Sequence, residues 1–347
     1  MKQYGTISIL IFSILLLSQL LEACRKRDGE QRPATPVQFV VPEGFPAPAY
    51  DFAANPLTEE GIELGRQLFY DGILSKDGNF PCASCHQQFA AFATFDHDLS
   101  HGFDNAFTIR NAPGLFNLAW QASFHHDGGI NNLEVQPLAP LTAPNEMAET
   151  VENVVNKLKA EAKYQKLFKA AFGDETINSQ RMLKALTQFS LTLVSADSKY
   201  DKVKRGQAQF TIYEQRGYTL FKAQCASCHT EPLFTDGSFR NNGLSINTYL
   251  NDAGRMGITQ KAEDYLKFKV PSLRNVQLTF PYMHDGRFYT LERVLEHYHS
   301  GIQQSPTLDP GLKGGIPLSR SDVVDLVAFL HTLTDSAFIK NPRFSQP

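Results

Sequence analysis

The chain has 347 residues, enough for two domains of ordinary size. Its hydrophobic fraction of 42% and charged fraction of 20% are typical of a globular protein, which excludes a disordered chain or one largely embedded in a membrane. The formal net charge is -3, and no long basic run follows the N-terminal segment, so no nucleic-acid partner is expected.

The first residues are typical of an export signal. The apolar run from Ile7 to Leu21 is too short for a membrane span and matches the hydrophobic part of a secretory signal. It ends in Leu21-Glu22-Ala23-Cys24, which is similar to a bacterial lipobox; because Glu22 is unusual there, cleavage beyond Cys24 is the alternative. We therefore predict a lipoprotein signal peptide over 1–23 and a periplasmic protein anchored to a bacterial membrane by a lipid on Cys24.

Four further cysteines lie in two copies of one pentapeptide. They are Cys82-Ala83-Ser84-Cys85-His86 and Cys225-Ala226-Ser227-Cys228-His229. Such a cysteine pair can form thioether bonds to the two vinyl groups of one haem, and the following His then becomes the proximal ligand of the iron. Disulfides would leave the two histidines unexplained, the pairs are too far apart for an ordinary Cys₄ zinc site, and no βαβ pattern indicates a thioredoxin-like centre. The sequence predicts two covalently attached c-type haems.

The pentapeptides belong to a longer internal repeat. Gly65-Arg66-Gln67-Leu68-Phe69 precedes the first and Gly217-Tyr218-Thr219-Leu220-Phe221 the second, while His126-Asp127-Gly128 corresponds to His284-Asp285-Gly286 downstream. A repeat this long predicts two copies of a domain. We place an N-terminal haem domain at 50–200 and a C-terminal one at 201–347, preceded by a proline-rich, extended tether at 24–49.

Apolar stripes at helical spacing dominate the rest of the chain. One runs from Thr150 to Phe172 and is stopped by Gly173, a second begins near Ser179 as its cap, and a last begins near Ser321. Alternating strand patterns are scarce. The predicted fold class is mainly α, with two cytochrome c-like domains that each carry one covalently bound haem.

From about residue 55 to 335 the sequence resembles the bacterial di-haem cytochrome c peroxidases and their relative, the maturation enzyme of methylamine dehydrogenase. Besides the two CASCH sites, the resemblance rests on four motifs: Arg110-Asn111-Ala112-Pro113, Pro144-Asn145-Glu146-Met147, Pro271-Ser272-Leu273-Arg274-Asn275 and Pro281-Tyr282-Met283-His284-Asp285-Gly286. It implies that the first haem reacts with hydrogen peroxide and that the second supplies electrons. A small cytochrome c or a cupredoxin would be the external donor.

The resemblance also implies roles at the first haem. Glu146 matches the family's distal acid, which shuttles a proton between peroxide oxygens, and Gln136 matches the glutamine of the same pocket. His101, with His97 as second choice, matches a loop ligand that occupies the iron until the second haem is reduced; an ordinary surface histidine is the alternative. Arg110 and Arg274 are candidates for pairing with haem propionates.

At the second haem the chain departs from most peroxidases of the family. Tyr298 stands where they have a methionine ligand, as in the maturation enzyme, and tyrosinate is a hard donor that stabilises ferric iron. The alternative is that Tyr298 only packs on its helix and that Met283 or Met256 binds the iron.

Two further expectations concern the region between the haems. The family has a tryptophan there, where this chain has His126, so electrons would tunnel directly or pass through a neighbour such as Trp120 or Tyr282, although Trp120 could simply be core. The resemblance also implies a calcium ion held by the side chain of Asn111 and the carbonyls of Thr279 and Pro281.

The leading functional prediction is a periplasmic cytochrome c peroxidase. A protein-oxidising enzyme similar to the maturation enzyme is the alternative within enzymes, and a di-haem electron carrier or redox sensor is the alternative outside them. A homodimer is compatible with the sequence.

Overall fold

The computed structural model describes residues 33–347, so the predicted signal peptide and Cys24 lie outside the described residues. None of the helices described is both long and apolar enough to cross a bilayer. The α-helices are α1 Glu59–Tyr70, α2 Cys82–Cys85, α3 Leu138–Thr142, α4 Val151–Ala160, α5 Ala162–Phe172, α6 Ser179–Thr192, α7 Lys199–Lys204, α8 Ile212–Gln224, α9 Met256–Thr259, α10 Leu291–Glu296, α11 Arg320–His331 and α12 Ser336–Ile339.

Strand structure is minimal. Two short antiparallel strands, β1 (Phe239–Arg240) and β2 (Phe268–Lys269), pair with Phe239 opposite Lys269. A π-helical turn over His297–Gly301 directly follows α10. The predicted mainly helical fold is therefore confirmed.

The two copies of the repeat have separate cores, each built on a close helix pair. In the first, α1 packs on α6, and Gly65 lies against the backbone carbonyl of Ala185. In the second, α8 packs on α11, and Gly217 lies against the carbonyl of Asp325. The repeated Gly-x-x-Leu-Phe motif is explained by this crossing, where only a residue without a side chain lets the helices approach so closely.

Gly217→Ala is expected to destabilise the second domain, because the new Cβ would overlap the Asp325 carbonyl oxygen and fall 2.9 Å from the Cβ of Phe329. Overpacking of this kind costs about 1–3 kcal/mol in the free energy of unfolding, measurable by chemical denaturation of the holoprotein. Gly257→Ala is the matched control, because its Cβ would meet no atom within 4 Å in the short helix α9. Equal stability of the two variants would contradict the crossing.

Helix boundaries differ locally from the predictions. The stripe from Thr150 to Phe172 is two helices, because the backbone is extended at Glu161. The cap predicted at Ser179 is Asn178, whose side chain accepts from the N–H of Arg181. The cap predicted at Ser321 is Ser319, which forms a reciprocal capping box with Asp322. In the last two cases another good capping residue lies one or two positions upstream, which the apolar pattern alone does not resolve.

Both ends of the described chain pack on the first domain. Val37 and Phe39 contact its core, and Phe45 meets the ring of Trp120 at 5.1 Å, so the tether predicted over 24–49 is docked along much of its described part. At the other end, Phe338 and Phe344 enter the same core. The second domain predicted as 201–347 therefore ends near α11. Aromatic residues in these terminal segments provide the apolar surface that a free tether would lack.

Candidate haem sites

The first attachment site is a short helical turn that places both cysteines and the histidine. His86 follows α2, and its Nδ1 lies 2.8 Å from the carbonyl oxygen of Phe92, with a further hydrogen bond to the backbone of Pro113. An Nδ1–H that donates to a carbonyl leaves Nε2 as the free ligand nitrogen. Burial lowers the pKa of His86 to about 4, which keeps the ring in the neutral form that binds iron.

The second site repeats this arrangement. His229 Nδ1 lies 3.1 Å from the carbonyl oxygen of Phe234 and 3.1 Å from that of Pro271. Phe92 and Phe234 both have left-handed backbones, at φ 58° and 55°, which is uncommon for such residues. These paired carbonyl acceptors were not predicted, because backbone acceptors leave no clear signal in the sequence.

The four thiols suit thioether attachment. Cys82, Cys85, Cys225 and Cys228 are free of disulfides. Burial raises the pKa of Cys82 and of Cys225 to about 12, so the thiols are neutral side chains on the inside of each turn. Each turn therefore presents two unpaired thiols and one oriented imidazole, a donor set that fits a c-type haem.

Glu146 lies close to the first attachment site. The pKa of the Cys85 thiol is raised by burial and in part by the negative charge of Glu146, which places this carboxyl near the turn. Burial raises the pKa of Glu146 itself above its ordinary value, as expected for a carboxyl removed from water. The backbone of Glu146 is fixed by Phe103, whose N–H donates to its carbonyl at 2.7 Å.

The loop that carries His101 packs closely against the backbone of Glu146. A Cβ at Gly102 would lie 2.5 Å from the Cα of Glu146, so the two backbones touch there. His101 Nδ1 is 2.8 Å from Asn105 Oδ1, and its ring centroid is 5.7 Å from that of His97. The structure thus brings both candidate switching histidines into one loop beside Glu146.

Gln136 lies beside a residue that was not predicted. Its Nε2 is 3.5 Å from the Nε2 of His125, and the His125 ring is also hydrogen-bonded to the backbone of Gln136. His125 contributes to the lowered pKa of His86, so the two rings are near one another. The signal available in the sequence was the repeat, since His125 occupies the position of Met283 in the second copy.

Two candidate ligands meet at the second site. Tyr298 lies in the π-helical turn, where burial and then the nearby thiols of Cys225 and Cys228 raise its pKa. The side chain of Asn242 is hydrogen-bonded to Tyr298 and also approaches Met283, with 3.5 Å between Asn242 Nδ2 and Met283 Sδ. π-Turns of this kind are frequent at functional sites.

Met256, the third candidate ligand, lies elsewhere. It begins α9, and its neighbour Arg255 donates to the carbonyl oxygen of Asp127 at 2.9 Å. Ile258 of the same helix approaches Gly129. Met256 is therefore at the contact with the first domain.

The two arginines predicted to pair with haem propionates are engaged by protein carboxylates. Arg110 forms a bidentate pair with Asp252, at 2.6 and 2.8 Å, and its remaining arm reaches Asp127. Arg274 is fully buried, and its fork is held by Asp201 at 2.8 and 2.9 Å. The sequence indicates a guanidinium fork but not which carboxylate the fold places opposite it, and the pairing of these arginines with haem propionates stays a prediction.

Asn111, one of the residues predicted to hold calcium, is buried and tied to two neighbouring segments. Its amide nitrogen donates to the carbonyls of His97 and Asp98, which leaves the side-chain oxygen for other partners. Its backbone N–H donates to the carbonyl of His284 at 2.8 Å, which joins it to the segment that carries Thr279 and Pro281. Oxygen donors of this type suit Ca²⁺.

His126 and Trp120, the two residues considered for the electron path, have different surroundings. His126 Nε2 is 3.0 Å from the carbonyl oxygen of Asn111, and burial lowers the pKa of His126 to about 3, so the ring is neutral. Trp120 donates its indole N–H to Pro46 at 2.8 Å and packs on Phe39 and Phe45. Its visible contacts thus hold the N-terminal segment, as expected of a core residue.

Two helical domains, each with an oriented CxxCH turn, define a di-haem c-type cytochrome. The profile of the family described as di-haem cytochrome c peroxidase matches residues 59–209, and that of cytochrome c matches residues 214–334. The chain is 39% identical over 306 residues to the methylamine utilization protein MauG of Methylorubrum extorquens, covering 86% of this chain and 84% of that one.

It is also 33% identical over 304 residues to the cytochrome c551 peroxidase of Nitrosomonas europaea, covering 85% of each chain. Among solved structures, a MauG-like protein associated with microbial copper homeostasis superposes with a TM-score of 0.81 at 35% identity, covering 90% of this chain and 99% of that one. The chain belongs to the di-haem cytochrome c peroxidase family, which includes the MauG-like proteins.

Proposed function

We propose that this protein reduces hydrogen peroxide to water with electrons from a small cytochrome c or a cupredoxin. The observation that carries the proposal is the half-buried carboxyl of Glu146, with a raised pKa, beside the first CxxCH turn. A carboxyl in that setting can accept a proton and return it. Relatives named as peroxidases support the same reading.

The side chains proposed to surround the first haem have different roles in the reaction. When bound, the haem supplies an iron on which peroxide is reduced. Glu146 takes the proton from the near oxygen of peroxide and delivers it to the departing oxygen, so that water leaves. Gln136 orients the ligand by hydrogen bonding, and His101 is the loop residue that closes or opens the site.

The second domain serves as the electron entry site. Tyr298 is the proposed second ligand of its haem, and neutral His126 makes hopping through that side chain unfavourable, which favours tunnelling. A calcium ion at Asn111, Thr279 and Pro281 would tie the two segments between the haems together. The protein is proposed to be periplasmic and anchored through lipid on Cys24; a homodimer is compatible with this arrangement.

The test is peroxide-dependent oxidation of a reduced small c-type cytochrome, run with the all-ferric protein and with a half-reduced preparation. Turnover in either state is expected. A requirement for half-reduction would support His101 as a switching ligand. Absence of turnover in both, at two haems per chain by haem assay, would contradict the peroxidase.

A second candidate function is oxidation of a partner protein's side chain. The observation that favours it is Tyr298 near the second CxxCH turn, together with the 39% identity to a protein named for methylamine utilization. It would be supported if peroxide produced a long-lived oxidised species that small cytochromes do not discharge.

A further inference from the structure

A tight turn occurs once in each copy of the repeat and has the same shape in both. In the first copy Phe124 pairs with Ile130, and His125 follows with φ 66°. In the second copy Tyr282 pairs with Phe288, and Met283 follows with φ 74°. A left-handed backbone is strained for a bulky residue, and such strain is often found at functional sites.

In the second copy, the residue with the left-handed backbone is Met283, and its contacts lead to the haem site. The Met283 sulfur lies 3.5 Å from the amide nitrogen of Asn242, and Asn242 is also hydrogen-bonded to Tyr298. Tyr298 is in turn near Cys225 and Cys228. Met283, the residue after the paired Tyr282, is thus linked through Asn242 and Tyr298 to the second CxxCH turn.

In the first copy, His125 occupies the position of Met283, and its contacts place it near the first haem site. His125 is half-buried, and its Nε2 is 3.5 Å from the amide nitrogen of Gln136. Its ring is near enough to His86 to affect it electrostatically. An amide nitrogen that donates to His125 leaves the Gln136 side-chain oxygen free to accept a hydrogen bond from a ligand O–H.

We propose that His125 is a positioning residue of the first haem pocket: it holds the Gln136 amide in the orientation that accepts a hydrogen bond from a bound ligand. The inference rests on the proposed function only in taking Gln136 as part of the peroxide pocket. At this position of the repeat the two domains differ: the second, proposed for electron entry, has the thioether of Met283, and the first, proposed as reactive, has the imidazole of His125.

The test compares His125→Phe and His125→Gln with the wild-type holoprotein. Phe accepts no hydrogen bond, whereas Gln offers an amide oxygen to the Gln136 N–H. Cyanide is the probe, titrated against the ferric first haem by absorption and electron paramagnetic resonance. His331→Phe, an exposed histidine of α11, is the matched control.

Cyanide affinity is expected to fall about tenfold in His125→Phe, the effect of losing one ordering hydrogen bond, and to recover largely in His125→Gln. The second-haem spectrum and haem content should match the wild type, which separates this effect from misfolding. KM for peroxide should rise more than kcat falls. Wild-type cyanide affinity in His125→Phe, or failure of Gln to restore it, would overturn the inference.

The cyanide result is independent of turnover. If no variant oxidises a cytochrome while His125→Phe still weakens cyanide binding, the positioning role stands and the peroxidase fails. If the wild type turns over and cyanide affinity does not change when His125 is replaced, the peroxidase stands and the positioning role fails.

Discussion

Replacing Glu146 by Gln is expected to lower peroxide-dependent turnover by about 10²–10⁴-fold, the usual contribution of a positioned acid–base group. The amide has nearly the same shape, so the loop packing at Gly102 and the hydrogen bond from Phe103 should persist. What is lost is the ability to accept a proton from peroxide and return it. Both haems should remain attached, because the cysteines and proximal histidines are untouched.

The rate of peroxide-dependent turnover is expected to depend on pH through the protonation of Glu146. Burial raises the pKa of Glu146, so the carboxylate, which is the proton acceptor, is lost as the pH falls through that raised value. The wild-type rate should therefore decrease toward acid with a midpoint above that of an ordinary glutamate, and the residual rate of Glu146→Gln should lack this step. Initial rates of cytochrome c oxidation across pH measure both.

Glu152→Gln is the matched control, because Glu152 is an exposed residue in the first turn of α4 that undergoes the same chemical change. It should keep full turnover and the wild-type pH profile. Full activity in Glu146→Gln would contradict the assignment of Glu146, whichever haem reacts with peroxide.

The features that were predictable from the sequence are those fixed by short-range spacing. The CxxCH turns and the apolar stripes of the helices follow from residues a few positions apart. The Gly65 and Gly217 motifs were visible as a repeat, but their reason, a close helix crossing, needed the structure. Local chemistry thus sufficed for the fold class and for the haem number.

The features that were not predictable depend on which distant groups meet. The ion pairs of Arg110 with Asp252 and of Arg274 with Asp201 could not be predicted, because a guanidinium fork fits any carboxylate and only folding brings these partners together. The proline-rich segment resembled a free tether by composition, yet Phe45 contacts Trp120 and the guanidinium of Arg274 at 4.8 Å. His125 was missed for the same reason: its partner Gln136 lies eleven residues away across a turn.

Tyr298→Phe is expected to change the absorption and electron paramagnetic resonance spectra of the second haem only. Removing a hard anionic oxygen ligand should also raise the reduction potential of that haem, because such a ligand favours ferric iron. Met283→Leu is the matched comparison, since Met283 contacts the same Asn242 side chain. If Tyr298 is the ligand, Met283→Leu should leave the spectrum of the second haem unchanged.

The shared contact with Asn242 leads to a sharper expectation for the double variant. With Tyr298 replaced, the Met283 sulfur, which shares the contact with Asn242, is expected to bind the iron, so the single variant should show a six-coordinate haem with a thioether ligand. Adding Met283→Leu should then leave an open position that binds added imidazole, which neither single variant does. An unchanged spectrum in Tyr298→Phe with a changed one in Met283→Leu would instead make Met283 the ligand, and Tyr298 a packing residue of the π-helical turn.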